Sequence, residues 1–119
     1  MQALQNLEVW KRSTRLCVEV YKNLEDCKER GFKDQITRSA LSIPSNIAEG
    51  YERDSKRETV RFLRIAKGSC GELWTQLCVG TEAGFVQQSL GKELSAEVVA
   101  IAKMLQGLIR HYEEHENSA

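Results

Sequence analysis

A chain of 119 residues, 41% apolar and 29% charged, has room for a single hydrophobic core, so one domain over residues 1–119 is expected. No apolar run approaches the roughly 20 residues that cross a bilayer, and the opening MQALQNLEVWKR lacks the basic start, apolar centre and small-residue cleavage site of a secretory signal, which points to a cytoplasmic protein with no membrane partner. Seventeen bases cancel seventeen acids, removing any global attraction to nucleic acid. Residues 1–80 nevertheless carry 14 bases against 11 acids, and residues 81–119 carry 3 against 6, so a local basic patch is compatible with neutrality.

Cys17, Cys27, Cys70 and Cys78 fall inside helical patterns without a CxxC pair. The spacing fits neither a metal knuckle nor a redox motif, and free thiols are expected.

In chain order, LEVWKRSTRLCVEVYKNL sets Trp10, Thr14, Cys17, Tyr21 and Leu24 four and three residues apart, with Leu7 ahead of them. This spacing predicts a helix. Asn6 is its candidate N-cap, and Gly31 beyond it a candidate chain reversal. A second helix is predicted from about Phe32 to Asp34, carrying Ile36, Ala40, Ile43 and Ile47 on one stripe and closing at Gly50. Pro44, the only proline, removes the hydrogen bond to the Ala40 carbonyl and crowds it, so this helix should kink or briefly break there. Ser42, Ser45 and Asn46 can serve the groups released by the bend.

The third helix opens with Ser55 and Glu58 at capping-box spacing and runs to about Ala83, ahead of Gly84. Its length is about 43 Å at 1.5 Å per residue. The fourth begins between Gln87 and Lys92 and places Leu94, Val98, Ile101, Leu105, Leu108 and Tyr112 in alternating steps of four and three, a heptad seam. With no strand pattern and short connections, the fold class expected is an all-α, antiparallel up-down-up-down four-helix bundle.

The third helix projects two faces and a stripe between them. Thr59, Phe62, Ala66, Ser69, Leu73, Leu77 and Gly80 form the expected core side. Arg53, Lys56, Arg57, Arg61, Arg64 and Lys67 share an opposite arc of about 140° in the same projection. Such a face either pairs with acids of a neighbouring helix or subunit or binds phosphate, and guanidinium suits both partners. Between them, Leu63, Cys70, Trp74 and Cys78 make a second apolar stripe, the candidate oligomer interface. Gly68 and Gly71 each cost about 1 kcal/mol in a helix interior, for which close approach of a neighbouring helix is the expected compensation.

Near the C-terminus, HYEEH spaces His111 and His115 as in one class of metalloprotease. No further residues offer a third ligand and a cleft. No glycine loop cradles phosphate, and no other histidine is present to activate a nucleophile. No enzyme activity, cofactor or metal is expected.

Together, LEVWKRSTRL (7–16), GFKDQITRSALSIPSNIAEGYER (31–53) and FLRIAKGSCGEL (62–73), with Gly68, Ser69, Glu72 and Leu73 in a GS-x-x-EL pattern, resemble a bacterial four-helix bundle family. Its members include proteins encoded in intervening sequences of large-subunit ribosomal RNA genes and accessory variability proteins of diversity-generating retroelements. The resemblance implies an up-down bundle assembling as a homopentameric ring or barrel. For the accessory branch it implies basic outer surfaces that bind nucleic acid and a reverse transcriptase. Gln35, Arg38, Ser42, Pro44, Asn46, Glu49 and Gly50 match the family's second-helix signature, and Arg61, Phe62, Ser69 and Glu72 its third-helix one. The resemblance gives these residues structural roles, with Asn46 and Glu49 knitting helices or subunits together. Two functions are thus expected in competition: a homo-oligomer that binds RNA or DNA through the Arg53 to Lys67 face, or a protein-interaction scaffold whose bases are consumed in pairs.

Overall fold

The computed structural model describes residues 1–117. Among them are five helices and no strand: α1 (Gln2–Gln5), α2 (Glu8–Asn23), α3 (Arg30–Tyr51), α4 (Lys56–Glu82) and α5 (Gln88–Asn117). α2 packs on α3, α3 on α4, α4 on α5, and α5 returns to α2. The molecule is 51 Å long and 22 Å across in both other directions. A 27-residue helix of about 40 Å fits only along the long axis, so each short connection reverses the chain and the product is an antiparallel helical bundle.

α1 has no counterpart in the helices anticipated from sequence. Asn6 closes α1 rather than capping the next helix, and Leu7 precedes α2 without a side-chain cap bond. Gly31 lies in the first turn of α3 rather than at a reversal. In α2 the buried side is Val9, Ser13, Leu16, Cys17, Val20 and Leu24, while Trp10 and Thr14 are half-buried and Tyr21 is exposed. Trp10 and Thr14 of the anticipated stripe therefore lie on the edge of α2 that leans toward α3, while its Cys17 and Leu24 reach the core. The core lies further round because α2 must also face α5.

Elsewhere periodicity and burial coincide. Ile36, Ala40, Ile43 and Ile47 are buried in α3, and Leu94, Val98, Ile101 and Leu105 in α5, where Ile109 joins them. The helical backbone runs through Pro44 without a break. Beside it the Asn46 amide donates to the Ser42 carbonyl (2.8 Å) and to Ser42 Oγ (2.9 Å), and Ser42 Oγ meets Ser69 Oγ of α4 at 2.8 Å. The polar residues around the proline thus bond to one another and across to the neighbouring helix.

The α3–α4 corner is close-packed. A side chain at Gly50 would place Cβ 3.1 Å from Phe62 Cβ and 3.2 Å from the Thr59 carbonyl oxygen, and Thr59 Oγ1 donates to the Gly50 carbonyl at 2.9 Å. Ser55 caps α4 by accepting from the Glu58 amide at 3.1 Å, while the Glu58 carboxylate turns to Arg61 instead of back to Ser55. Gly84, at φ +82°, occupies the left-handed position after α4. At the far end Tyr112 donates to Tyr51 Oη at 2.9 Å, tying α5 to the end of α3. Burial and that bond hold the Tyr51 hydroxyl above its ordinary pKa.

Candidate interaction surfaces

Arginines project from α4 because its exposed positions recur at the helical period, but their heads do not all face open water. Arg53 pairs with Glu49 across one turn and a glycine. Arg61 binds Glu58 through Nε at 3.1 Å. Both guanidinium groups also lie over the Phe62 ring, at 4.6 and 4.5 Å from its centroid. This explains why Phe62 is half-buried rather than core: it is the platform for two cations, an arrangement worth about 0.5–1 kcal/mol per contact at an exposed site. Arg64 reaches Glu113 of α5 at 2.5 Å, and Lys67 reaches the Gln106 side chain at 2.5 Å. Of the six, Lys56, Arg57 and Lys67 make no ion pair among the described residues, Lys67 bonding to an uncharged amide instead. The hydrogen bonds from Arg61 hold the Glu58 carboxyl below its ordinary range. The six-base arc is thus interleaved with carboxylates, two of them within one turn and one from a helix 49 residues further along the chain.

The second apolar stripe divides. Leu63 and Cys70 are buried inside the chain itself, at 0% and 1% exposure, and belong to the bundle core. The reason is angular. The α4 stripe that faces α5 lies next to the one that faces α3, and a helix between two neighbours buries both. Trp74, 46% exposed, and Cys78 stay on the surface. Trp74 forms one wall of an apolar groove between α4 and α5 of about 400 Å³, with Cys70, Gly71, Val98, Val99 and Ala102 around it and Lys67 and Lys103 at its rim. Val99 is 41% exposed. A second groove of about 370 Å³ continues past Trp74 toward Gly91 and Ser95.

Gly68 and Gly71 do not let a neighbouring helix of this chain approach: a Cβ at either would meet nothing within 4 Å. Their helix cost therefore has no compensation inside the chain. Burial meanwhile pushes the Cys70 thiol up to about 12, leaving it protonated and inert in the groove wall.

A third apolar surface lies between α2 and α3, where Trp10, Thr14, Cys17, Leu41, Pro44 and Ala48 line a groove of about 330 Å³. Val18 and Leu41 stand out at 44% and 48% exposure. Val18, Leu41 and Val99 fall off the main hydrophobic stripes of their helices. That is the only signal by which sequence reasoning could have found them.

The signature residues of α3 and α4 divide between the contact of those helices and the surface. Ser42, Asn46 and Ser69 form the hydrogen-bonded contact described above, and Glu49 holds Arg53. Gln35, Arg38 and Glu72 are exposed. The rings of His111 and His115 lie 4.1 Å apart, with His115 Nδ1 donating to the His111 carbonyl at 2.7 Å. Among the described residues no group of three or more His, Cys, Asp and Glu could hold a metal ion. No described helix is long and apolar enough to cross a membrane.

Residues 5–107 match the family model described as 23S rRNA-intervening sequence protein. Among solved structures, the chain is similar to a protein of unknown function from the S23 ribosomal protein family of Bacteroides thetaiotaomicron VPI-5482. The two are 26% identical, with 85% of this chain and 97% of that one covered, at a TM-score of 0.80. No curated protein matches the chain.

Proposed function

The chain belongs to the 23S rRNA-intervening sequence protein family, and from that premise we propose that it is a non-enzymatic, self-associating helical scaffold whose α4–α5 groove takes up a second copy of itself. One observation supports this most directly. The groove around Trp74 is apolar and open, and it contains Gly71, whose helix cost nothing within the chain offsets. A second copy is the economical occupant because the same chain carries another exposed apolar face between α2 and α3. The ion pairs of the basic face favour the scaffold over phosphate binding, since each phosphate would have to displace a carboxylate from Arg53, Arg61 or Arg64. Trp74→Glu tests the reading by light scattering: the unmodified chain runs as an oligomer and the variant as a folded monomer. An unchanged mass for Trp74→Glu would refute the seam.

A second reading keeps RNA or DNA as the partner, favoured by Lys56 and Arg57 at the start of α4, which among the described residues pair with no carboxylate. Its test is anisotropy of a labelled structured RNA and a matched DNA duplex. Affinity that falls steeply with salt and is lost in the Lys56→Glu, Arg57→Glu double variant supports it; no binding at low salt removes it.

A further inference from the structure

We infer that His111 and His115, near the end of α5, bind one late first-row divalent cation, and that the ion clasps the turn by which α5 is tied to α3 and α4. The site does not depend on the self-association proposed above.

The two histidines stand four residues apart on one face of α5. Both are exposed, and their rings lie 4.1 Å apart between centroids with planes at 44°. Two nitrogens held by one ion at about 2.0–2.1 Å each are at most about 4 Å from one another, so side-chain rotation alone brings this pair onto a shared ion.

Spacing is only half of the case, and the other half is where His115 carries its proton. Its Nδ1 lies 2.7 Å from the His111 carbonyl oxygen. A carbonyl only accepts, so Nδ1 bears the hydrogen, and in the neutral ring the lone pair belongs to Nε2. Metal-ligating imidazoles are oriented in this way, one nitrogen donating to a carbonyl or carboxylate while the other binds the ion. A cation here also meets the negative, carbonyl end of the α5 dipole.

Donor chemistry narrows the ion. Neutral imidazole suits copper, nickel and zinc, whereas calcium and magnesium take oxygen ligands. Among the described residues no third His, Cys, Asp or Glu joins the pair. Two protein nitrogens, with water in the remaining positions, make an exchangeable site rather than the closed four-ligand cage of structural zinc.

The residues between the two ligands show what the ion does. Tyr112 donates to Tyr51 Oη of α3 at 2.9 Å, and Glu113 holds Arg64 of α4 at 2.5 Å. The Tyr112 ring sits edge-on to both His111 and Tyr51, at 5.5 and 6.2 Å between centroids. An ion joining residues 111 and 115 therefore opposes unwinding of the turn that carries both cross-helix bonds, and favours the closed end of the bundle.

Calorimetric titration of the untagged chain with nickel(II), which does not oxidise thiols, tests the site. One ion binds per chain, and affinity falls at least about tenfold in His111→Asn and in His115→Asn alike, since losing a ligand costs no less than losing an outer-shell partner. Magnesium and calcium do not bind at the same concentrations, copper(II) binds more tightly than nickel, and Cys78→Ser, which removes the exposed thiol, leaves the affinity unchanged. At about 100 times its Kd, nickel lowers the unfolding equilibrium constant about 100-fold. That effect is read as a higher melting temperature together with slower hydrogen exchange of the amides from 111 to 115, and it disappears in both histidine variants, whose fold circular dichroism establishes. Absence of nickel binding, or an affinity unchanged in either histidine variant, overturns the site. Binding that leaves the melting temperature and the exchange of residues 111–115 as they were overturns the clasp.

Discussion

Gly71→Ala separates what the chain needs for its own stability from what the assembly needs. Alanine is favoured over glycine in a helix interior by about 1 kcal/mol, and a Cβ at residue 71 meets nothing within 4 Å. At a dilution that keeps the chain monomeric, the variant is more stable by about that amount. An unfolding entropy of about 2.1 cal/mol/K per residue, scaled to this chain, gives about 250 cal/mol/K, so the melting temperature rises by about 4 °C. In the assembly the same methyl enters the occupied groove, where overpacking of about 1–3 kcal/mol weakens association roughly 5- to 150-fold. Gly68→Ala is the internal control. It has the same empty surroundings but does not line the groove, so it raises the melting temperature without touching association. Differential scanning calorimetry of dilute samples and sedimentation equilibrium of concentrated ones read the two effects. The reasoning is refuted if Gly71→Ala melts lower than the unmodified chain when dilute, or if the two variants associate equally well.

Three further outcomes are expected. Gly80→Ala destabilises the folded chain by about 1–3 kcal/mol in urea unfolding, because its Cβ would lie 2.9 Å from Val86 Cγ2 and against the Phe32 ring. An aromatic disulfide reagent at pH 8 modifies exposed Cys78 in the native protein but reaches buried Cys17 and Cys70 only on denaturation, since burial raises the pKa of both thiols, that of Cys70 to about 12. Rapid native modification of Cys70, mapped by mass spectrometry, would contradict its placement. Glu58 is held below its ordinary carboxylate pKa by Arg61, so its pairing contributes stability above pH 4.5, the ordinary value, and loses it as pH falls through the lowered value. The gap in melting temperature between the unmodified chain and Glu58→Gln therefore narrows on acidification, and a gap that widens would contradict the assigned pairing.

What was legible in the sequence was what a single helix decides for itself. Ile36, Ala40, Ile43 and Ile47 repeat at helical spacing, and Ser55 and Glu58 announce the start of α4, because these signals depend only on residues within a turn or two. Misreadings came where two neighbours compete for one helix. α2 shows an edge stripe of Trp10, Thr14 and Tyr21 as regular as its true core face, and Leu63 with Cys70 looked like a spare stripe until α5 covered them. The charge face was legible only in part. Six bases on one arc were visible, but the acid opposite Arg64 lies 49 residues further along the chain, so that pairing exists only in three dimensions. Phe62 likewise has the spacing of a core residue, and only the stacked guanidinium groups of Arg53 and Arg61 show it to be a surface platform.

The central claim, association through an apolar seam, meets its most direct test in sedimentation equilibrium of the unmodified chain over a range of concentrations, at low and at high sodium chloride. Burial of Trp74 and its neighbours predicts an oligomer that persists undiminished in high salt, because apolar contacts are not screened. A chain that stays at 13.5 kDa throughout, or an oligomer that dissociates as salt rises and so depends on the basic face, would contradict it.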